Sequence, residues 1–221
     1  MARIKGTEKV EHLCTTCVRL EEDEETRKEL PNYWIQRLQV QHLDRLASVF
    51  LQTVVIQGEK THEGRLITEI TLPWLEIIQI LRRDPAAAYK ISPRKWEEII
   101  AGAYKKAGFD EVILTPSSGD YGRDIIAVKR GLGTIRIIDQ VKAYKPGHLV
   151  TADDVRALMG VLQGGGASKG FLTTTSDFAP RLREDPLIMP FMPARLELIN
   201  GRMLLDRLKE LAEGEEDTTL K

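Results

Sequence analysis

The sequence predicts an α/β fold: a mixed central β-sheet flanked by helices, with a smaller, mainly helical N-terminal region. Three observations predict it. From residue 92 onward, helical and strand-like segments follow the order α-β-β-β-α-β-(α)-β-α, the pattern of one mixed sheet covered by helices. Two β-branched runs, Ile125-Ile126-Ala127-Val128 and Ile135-Arg136-Ile137-Ile138, flank the loop Gly131-Leu132-Gly133, which is a hairpin signal. Capping residues mark the helices that bracket this hairpin: Ser92-Pro93 and Gly108 around one, Thr151 and Gly164-Gly165-Gly166 around the next.

The 221 residues are 42% hydrophobic and 29% charged, the balance of a globular chain with a real core. No window approaches 18 uninterrupted apolar residues, so no membrane span is expected. The opening MARIKGTEKVEH lacks the apolar centre of a secretory signal, and two cysteines make no disulfide framework. A reducing, cytoplasmic setting is the expectation.

Taken in order, residues 1–30 hold a short β-prone run, Val10–Leu13, then Cys14-Thr15-Thr16-Cys17 and the acidic run Glu21–Glu25. Cys14 and Cys17 with His12 resemble half of a zinc site. No second pair completes four ligands, so they are read as turn cysteines rather than as zinc ligands. Pro31 to about Thr53 has the apolar spacing of an amphipathic helix. Val54-Val55-Ile56 is β-prone, GEKTHEG reads as a polar loop, and a helix following Ile70 ends near Arg83. Asp84 to Ala88 reads as a linker. The expected domains are therefore an N-terminal region, 1–85, a second domain, 91–212, and a disordered tail, 213–221.

Within that second domain, Lys95–Lys106 is a helix, Phe109–Thr115 a strand and Pro116–Tyr121 a turn before the hairpin. Lys169–Thr175 and Arg195–Ile199 are later strands, Asn200-Gly201 a turn, and Met203–Leu211 a last helix. Residues 91–183 carry 14 Lys/Arg against 10 Asp/Glu, a mild excess that permits a polyanionic partner without requiring one.

The hairpin has a chemical consequence. If Arg130 pairs with Thr134, Asp124 lies opposite Gln140, and Gln140 and Lys142 point to the same face. Opposed Cβ atoms are about 5 Å apart. A carboxylate and an amide oxygen aimed at one point are hard ligands suited to Mg²⁺ or Mn²⁺. The lysine cannot bind that ion, but it can offset charge growing on a phosphate oxygen. Glu97 or Glu98, early on the preceding helix, can add a further carboxylate. Arg123, Lys145, His148 and Ser176 are candidate phosphate contacts. Each of these residues also has a plainer role open to it: turn cap, solvated strand residue, or helix-dipole partner.

The pattern W-E-x-I-I-A…A-G-F…G-D-x-G-x-D…Q-x-K…G-F-L-T-T-T-S, over residues 92–210, resembles the catalytic domain of Mrr-like restriction endonucleases in the PD-(D/E)xK nuclease superfamily. By position, the resemblance implies that Asp124 binds metal, Gln140 fills the middle of the (D/E/Q)-x-K element and Lys142 is the catalytic lysine. It favours Glu97 over Glu98 as the helix carboxylate. It further implies a Mg²⁺-dependent endonuclease on double-stranded DNA, of restriction type, often preferring modified DNA. Cutting both strands needs two sites, so a homodimer or DNA-assembled oligomer is expected. A structure-specific repair or junction nuclease is the alternative within the enzyme class, and a non-cleaving DNA-binding module is the alternative outside it.

Overall fold

Val54 and Val55 are fully buried at the start of a seven-stranded sheet to which every strand of the protein's described part belongs. The computed structural model describes residues 48–116 and 122–213. The expectations for Cys14 and Cys17, for the acidic run and for the tail beyond 213 fall outside the described residues, as does nearly all of the helix expected from Pro31. Its last turn, 48–51, is helical.

In chain order the elements are β1 (Val55–Lys60), β2 (Arg65–Ile70), α1 (Leu72–Arg83), a 3-10 segment (Pro85–Lys90), α2 (Pro93–Lys106), β3 (Glu111–Leu114), β4 (Ile125–Arg130), β5 (Thr134–Lys142), α3 (Ala152–Gly164), β6 (Lys169–Thr174), β7 (Leu196–Ile199) and α4 (Gly201–Glu213). The strands lie side by side in the same order. The first five form an antiparallel meander, whereas β5–β6 and β6–β7 are parallel. A parallel pair needs a crossover, and α3 supplies it between β5 and β6.

Successive strand side chains go to opposite faces, and the core sorts accordingly. Val112, Leu114, Ile125, Ala127 and Ile137 pack under α1, α2 and α4. Ile113, Ile126, Val128 and Ile138 pack under α3. Among the described residues no helix is long and apolar enough to cross a membrane.

The predicted caps form. Ser92 accepts a hydrogen bond from the Lys95 amide at 3.3 Å, with Pro93 in the first turn. Thr151 and Asp154 make a reciprocal capping box at the start of α3. Trp74 and Trp96 are packing residues: Trp74 donates to the Ile99 carbonyl at 2.8 Å, Trp96 to the Ala88 carbonyl at 3.0 Å, and both are fully buried.

Three local expectations change. GEKTHEG is not simply a loop, because Gly58–Lys60 completes β1 and pairs with β2 in an irregular register. Its polar residues face solvent, so no apolar alternation announced a strand. Asp84–Ala88 is not a linker. Asp84 caps a 3-10 segment whose Ala87 and Ala88 are buried, and a compact unit runs from Val49 onward, so the boundary expected at residue 85 falls inside it. Asn200-Gly201 is a helix start rather than a turn between elements, since Asn200 accepts from the Met203 amide at 3.0 Å.

Candidate active site

The hairpin register matches the expectation: Arg130 pairs with Thr134 and Ile125 with Asp139, which sets Asp124 across from Gln140. Backbone bonds hold Asp124 from both sides. Its amide donates to the Asp139 carbonyl at 3.1 Å, and its carbonyl accepts from the Thr115 amide at 3.0 Å. The carboxylate reaches over β5, where Oδ2 accepts from the Val141 amide at 2.6 Å, a short charge-assisted bond. Asp124 is thereby fixed beside the peptide that joins Gln140 to the Val141–Lys142 end of the strand.

Gly122 explains why the approach is close. Its φ of +77° lies in the left-handed region, and a Cβ there would sit 3.1 Å from Gln140 Nε2. The loop therefore passes directly over the Gln140 amide. Gln140 Oε1 is buried and has no hydrogen-bond partner among the described residues. A buried acceptor without a donor costs about 1–3 kcal/mol, so its presence calls for a ligand, an ion or a water.

Lys142 lies on the same face as Gln140, two residues on. Its carbonyl accepts from Thr174 Oγ1 at 2.7 Å and the Thr175 amide at 3.3 Å, tying the end of β5 to β6. Its ammonium lies 3.6 Å from Asp154 Oδ1 on α3. Burial pushes the Asp154 carboxyl up, but the Thr151 amide and hydroxyl and the Lys142 ammonium outweigh it and hold the group below its usual range.

Glu97 enters from α2, on the opposite side of the sheet. Its carboxylate pairs with Arg94 at 2.6 Å. The same Arg94 nitrogen donates to the Thr115 carbonyl at 2.9 Å, and Thr115 in turn holds Asp124. Glu97 is thus connected to Asp124 through Arg94 and Thr115, while Asp124, just before β4, lies across from Gln140, and Lys142 follows on the same face of β5. Glu98 pairs with Lys95 at 2.7 Å. Among the further phosphate candidates, His148 stacks on Tyr144 with ring centroids 4.1 Å apart, and Lys145 is exposed.

Two acidic residues escaped the sequence reading. Asp154 was legible only as a cap; its meeting with Lys142 depends on the fold. Asp139 points to the other face, where Tyr104 donates to it at 2.8 Å and Thr173 at 3.2 Å. Burial pushes its carboxyl up to about 7, against the hydrogen bonds that lower it. Only its place within a strand of isoleucines hinted that it was buried.

A divalent ion can be tested against these donors. Among the described residues no three His, Cys, Asp or Glu side chains converge, so an all-protein cage is absent from that part. Mg²⁺ does not need one: it keeps several waters and is held by one or two protein oxygens plus substrate phosphates. The unpartnered Gln140 oxygen and a carboxylate fixed on the adjoining Val141 amide fit that demand.

The described residues thus form a mixed sheet that carries an aspartate, a glutamine and a lysine at the end of one hairpin. Residues 88–208, more than half of the chain, match the restriction endonuclease family in its Mrr-type catalytic domain, and the chain belongs to that family. No curated protein matches it. Two solved structures are similar. The DNA modification-dependent restriction endonuclease AspBHI is 16% identical, with a TM-score of 0.40, over 66% of this chain and 39% of that one. The MspJI restriction endonuclease in complex with a 27-mer oligonucleotide is 18% identical, with a TM-score of 0.38, over 65% and 34%. The matched part thus spans well under half the length of either.

Proposed function

We propose that this chain is a metal-dependent endonuclease that hydrolyses phosphodiester bonds of double-stranded DNA in a restriction role, with modified duplex as the substrate to test first. The observation that carries the proposal is the buried, unpartnered Gln140 oxygen on the strand whose next amide, that of Val141, is bonded by the Asp124 carboxylate. Family membership supports the reaction class.

In this reading Asp124 and Gln140 hold Mg²⁺ or Mn²⁺ through oxygen. Bound there, the ion polarises the phosphoryl group and lowers the pKa of the attacking water. Lys142 places a positive charge where the phosphate oxygens gain negative charge, or orients the water. Asp124 is kept in position by the Val141 amide and Gln140 by the loop at Gly122. Glu97 supports the site through Arg94 and Thr115. Double-strand scission brings two such sites together, as a homodimer or an assembly on DNA.

The test is incubation of purified protein with methylated and unmethylated plasmid in Mg²⁺, Mn²⁺ or excess chelator. Products with metal and none in chelator are expected. Cleavage that survives chelation overturns the metal assignment. Salt-sensitive binding with no product under any divalent ion would instead mark a non-cleaving DNA-binding module, and preference for branched DNA a junction nuclease.

A further inference from the structure

The β1–β2 turn, outside the segment matched by the family, sends Glu63 back over the sheet. Glu63 Oε1 lies 2.5 Å from Arg136 Nη2 and 3.4 Å from Arg123 Nη1. Gly64 makes the turn possible: a Cβ there would lie 2.3 Å from the Leu114 carbonyl oxygen, and its φ is +158°. Thr61 closes the turn by accepting from the amides of Glu63 and Gly64.

We propose that Arg123 and Arg136, bridged by Glu63, form a binding subsite for backbone phosphates of the DNA duplex. The inference rests on the nuclease reading above and adds a DNA-contacting element to it. Its position fits: Arg123 immediately precedes Asp124, and Arg136 shares a strand face with Gln140, four residues and about 13 Å away. The site is therefore a strip along β5, with the candidate metal ligands at one end.

The charges also fit. The Glu63 carboxylate is shared by two guanidiniums, which sets two cationic side chains next to one another on this strip. A strut that only pins the turn to the sheet needs one arginine, and a second adds like-charge repulsion that an entering phosphate relieves. Arg136 uses Nε on the Gly165 carbonyl and Nη2 on Glu63, while its Nη1 has no partner among the described residues. The side chain remains 22% exposed. A phosphate meeting this fork gains paired charge-assisted bonds that a lysine would not provide.

The experiment is duplex-oligonucleotide binding in chelator, followed by fluorescence anisotropy across a salt series, with thermal melts of each variant. Arg136→Gln is expected to weaken binding and to make the slope of log K against log salt shallower by about 0.9, one phosphate contact. Glu63→Gln, which removes the negative charge the two guanidiniums share, is expected to tighten binding and steepen the slope. Arg136→Lys keeps the charge and should fall between wild type and Arg136→Gln, giving a readout if the glutamine variant folds poorly. Variants that melt lower but bind with wild-type affinity and slope would make the cluster a strut and overturn the proposal. A wild-type protein that does not bind duplex at all would instead overturn the nuclease reading itself.

Discussion

The Lys142 ammonium and the Asp154 carboxylate face each other at 3.6 Å, across the gap between the end of β5 and the first turn of α3. Asp154 spends its other oxygen on Thr151, so one side chain both caps the helix and tethers the lysine. Lys142→Ala is expected to reduce cleavage about 10²–10³-fold, the scale of losing one charge-stabilising donor, with a nearly unchanged melt. Asp154→Asn keeps a capping oxygen but frees the lysine. It should lower kcat on the order of tenfold and leave helix content intact by circular dichroism. Full activity in Asp154→Asn would show that the tether is irrelevant.

Gln140→Glu places a carboxylate where an amide oxygen now lacks a donor, on the residue opposite Asp124 in the hairpin. Without metal the two carboxylates repel, and Asp139 lies next in sequence. The melting temperature should therefore drop in chelator and recover in Mg²⁺ by mass action. Half-maximal activity is expected at lower Mg²⁺ than in wild type. Melting curves and a metal titration check both, and a melt indifferent to Mg²⁺ would rule out a cation at this position.

Asp139 makes stability depend on pH with a definite sign. Its folded carboxyl, at about 7, holds a proton that the unfolded chain releases near the ordinary 3.8. Its favourable contribution is complete below about pH 4 and is lost as pH rises through 7. The span is on the order of 4 kcal/mol. Asp154 and Glu197, both held low, act in the opposite direction, so the useful quantity is the difference from Asp139→Asn. Urea unfolding at intervals from pH 4 to 8 should show that difference falling; a constant difference would refute it.

Gly122→Ala strains a backbone at φ +77° and pushes a methyl group against the Gln140 amide. Left-handed geometry costs about 1–2 kcal/mol in a residue with a Cβ. The expected result is a slightly lower melt and a kcat loss out of proportion to it, with KM for DNA little changed. Loss of melt and kcat in strict parallel would place the effect in folding alone.

The hairpin was legible because period-two alternation and a glycine loop fix register locally: Arg130 does meet Thr134. The helix starts were legible for the same reason, as Ser92 and Thr151 act within their own turns. What the sequence concealed is long in range. Glu63 meets Arg136 across 73 positions, and Asp139 meets Tyr104 across 35. The second half of β1, Gly58–Lys60, stayed hidden because its outward residues are polar on an edge, where burial imposes no pattern. The restriction-endonuclease family was readable from the motif order within residues 88–208, whereas the turn carrying Glu63 lies upstream of it.

Strand β5 is bonded antiparallel to β4 over Thr134–Asp139 and parallel to β6 over Ile137–Lys142. Its last residues cannot fray singly, because Asp124 grips the Val141 amide and Thr174 and Thr175 grip the Lys142 carbonyl. Hydrogen exchange at Val141 should thus proceed only through cooperative opening of the whole sheet. Heating would then extinguish catalysis and structure in the same transition, with no range in which a folded protein carries a melted centre.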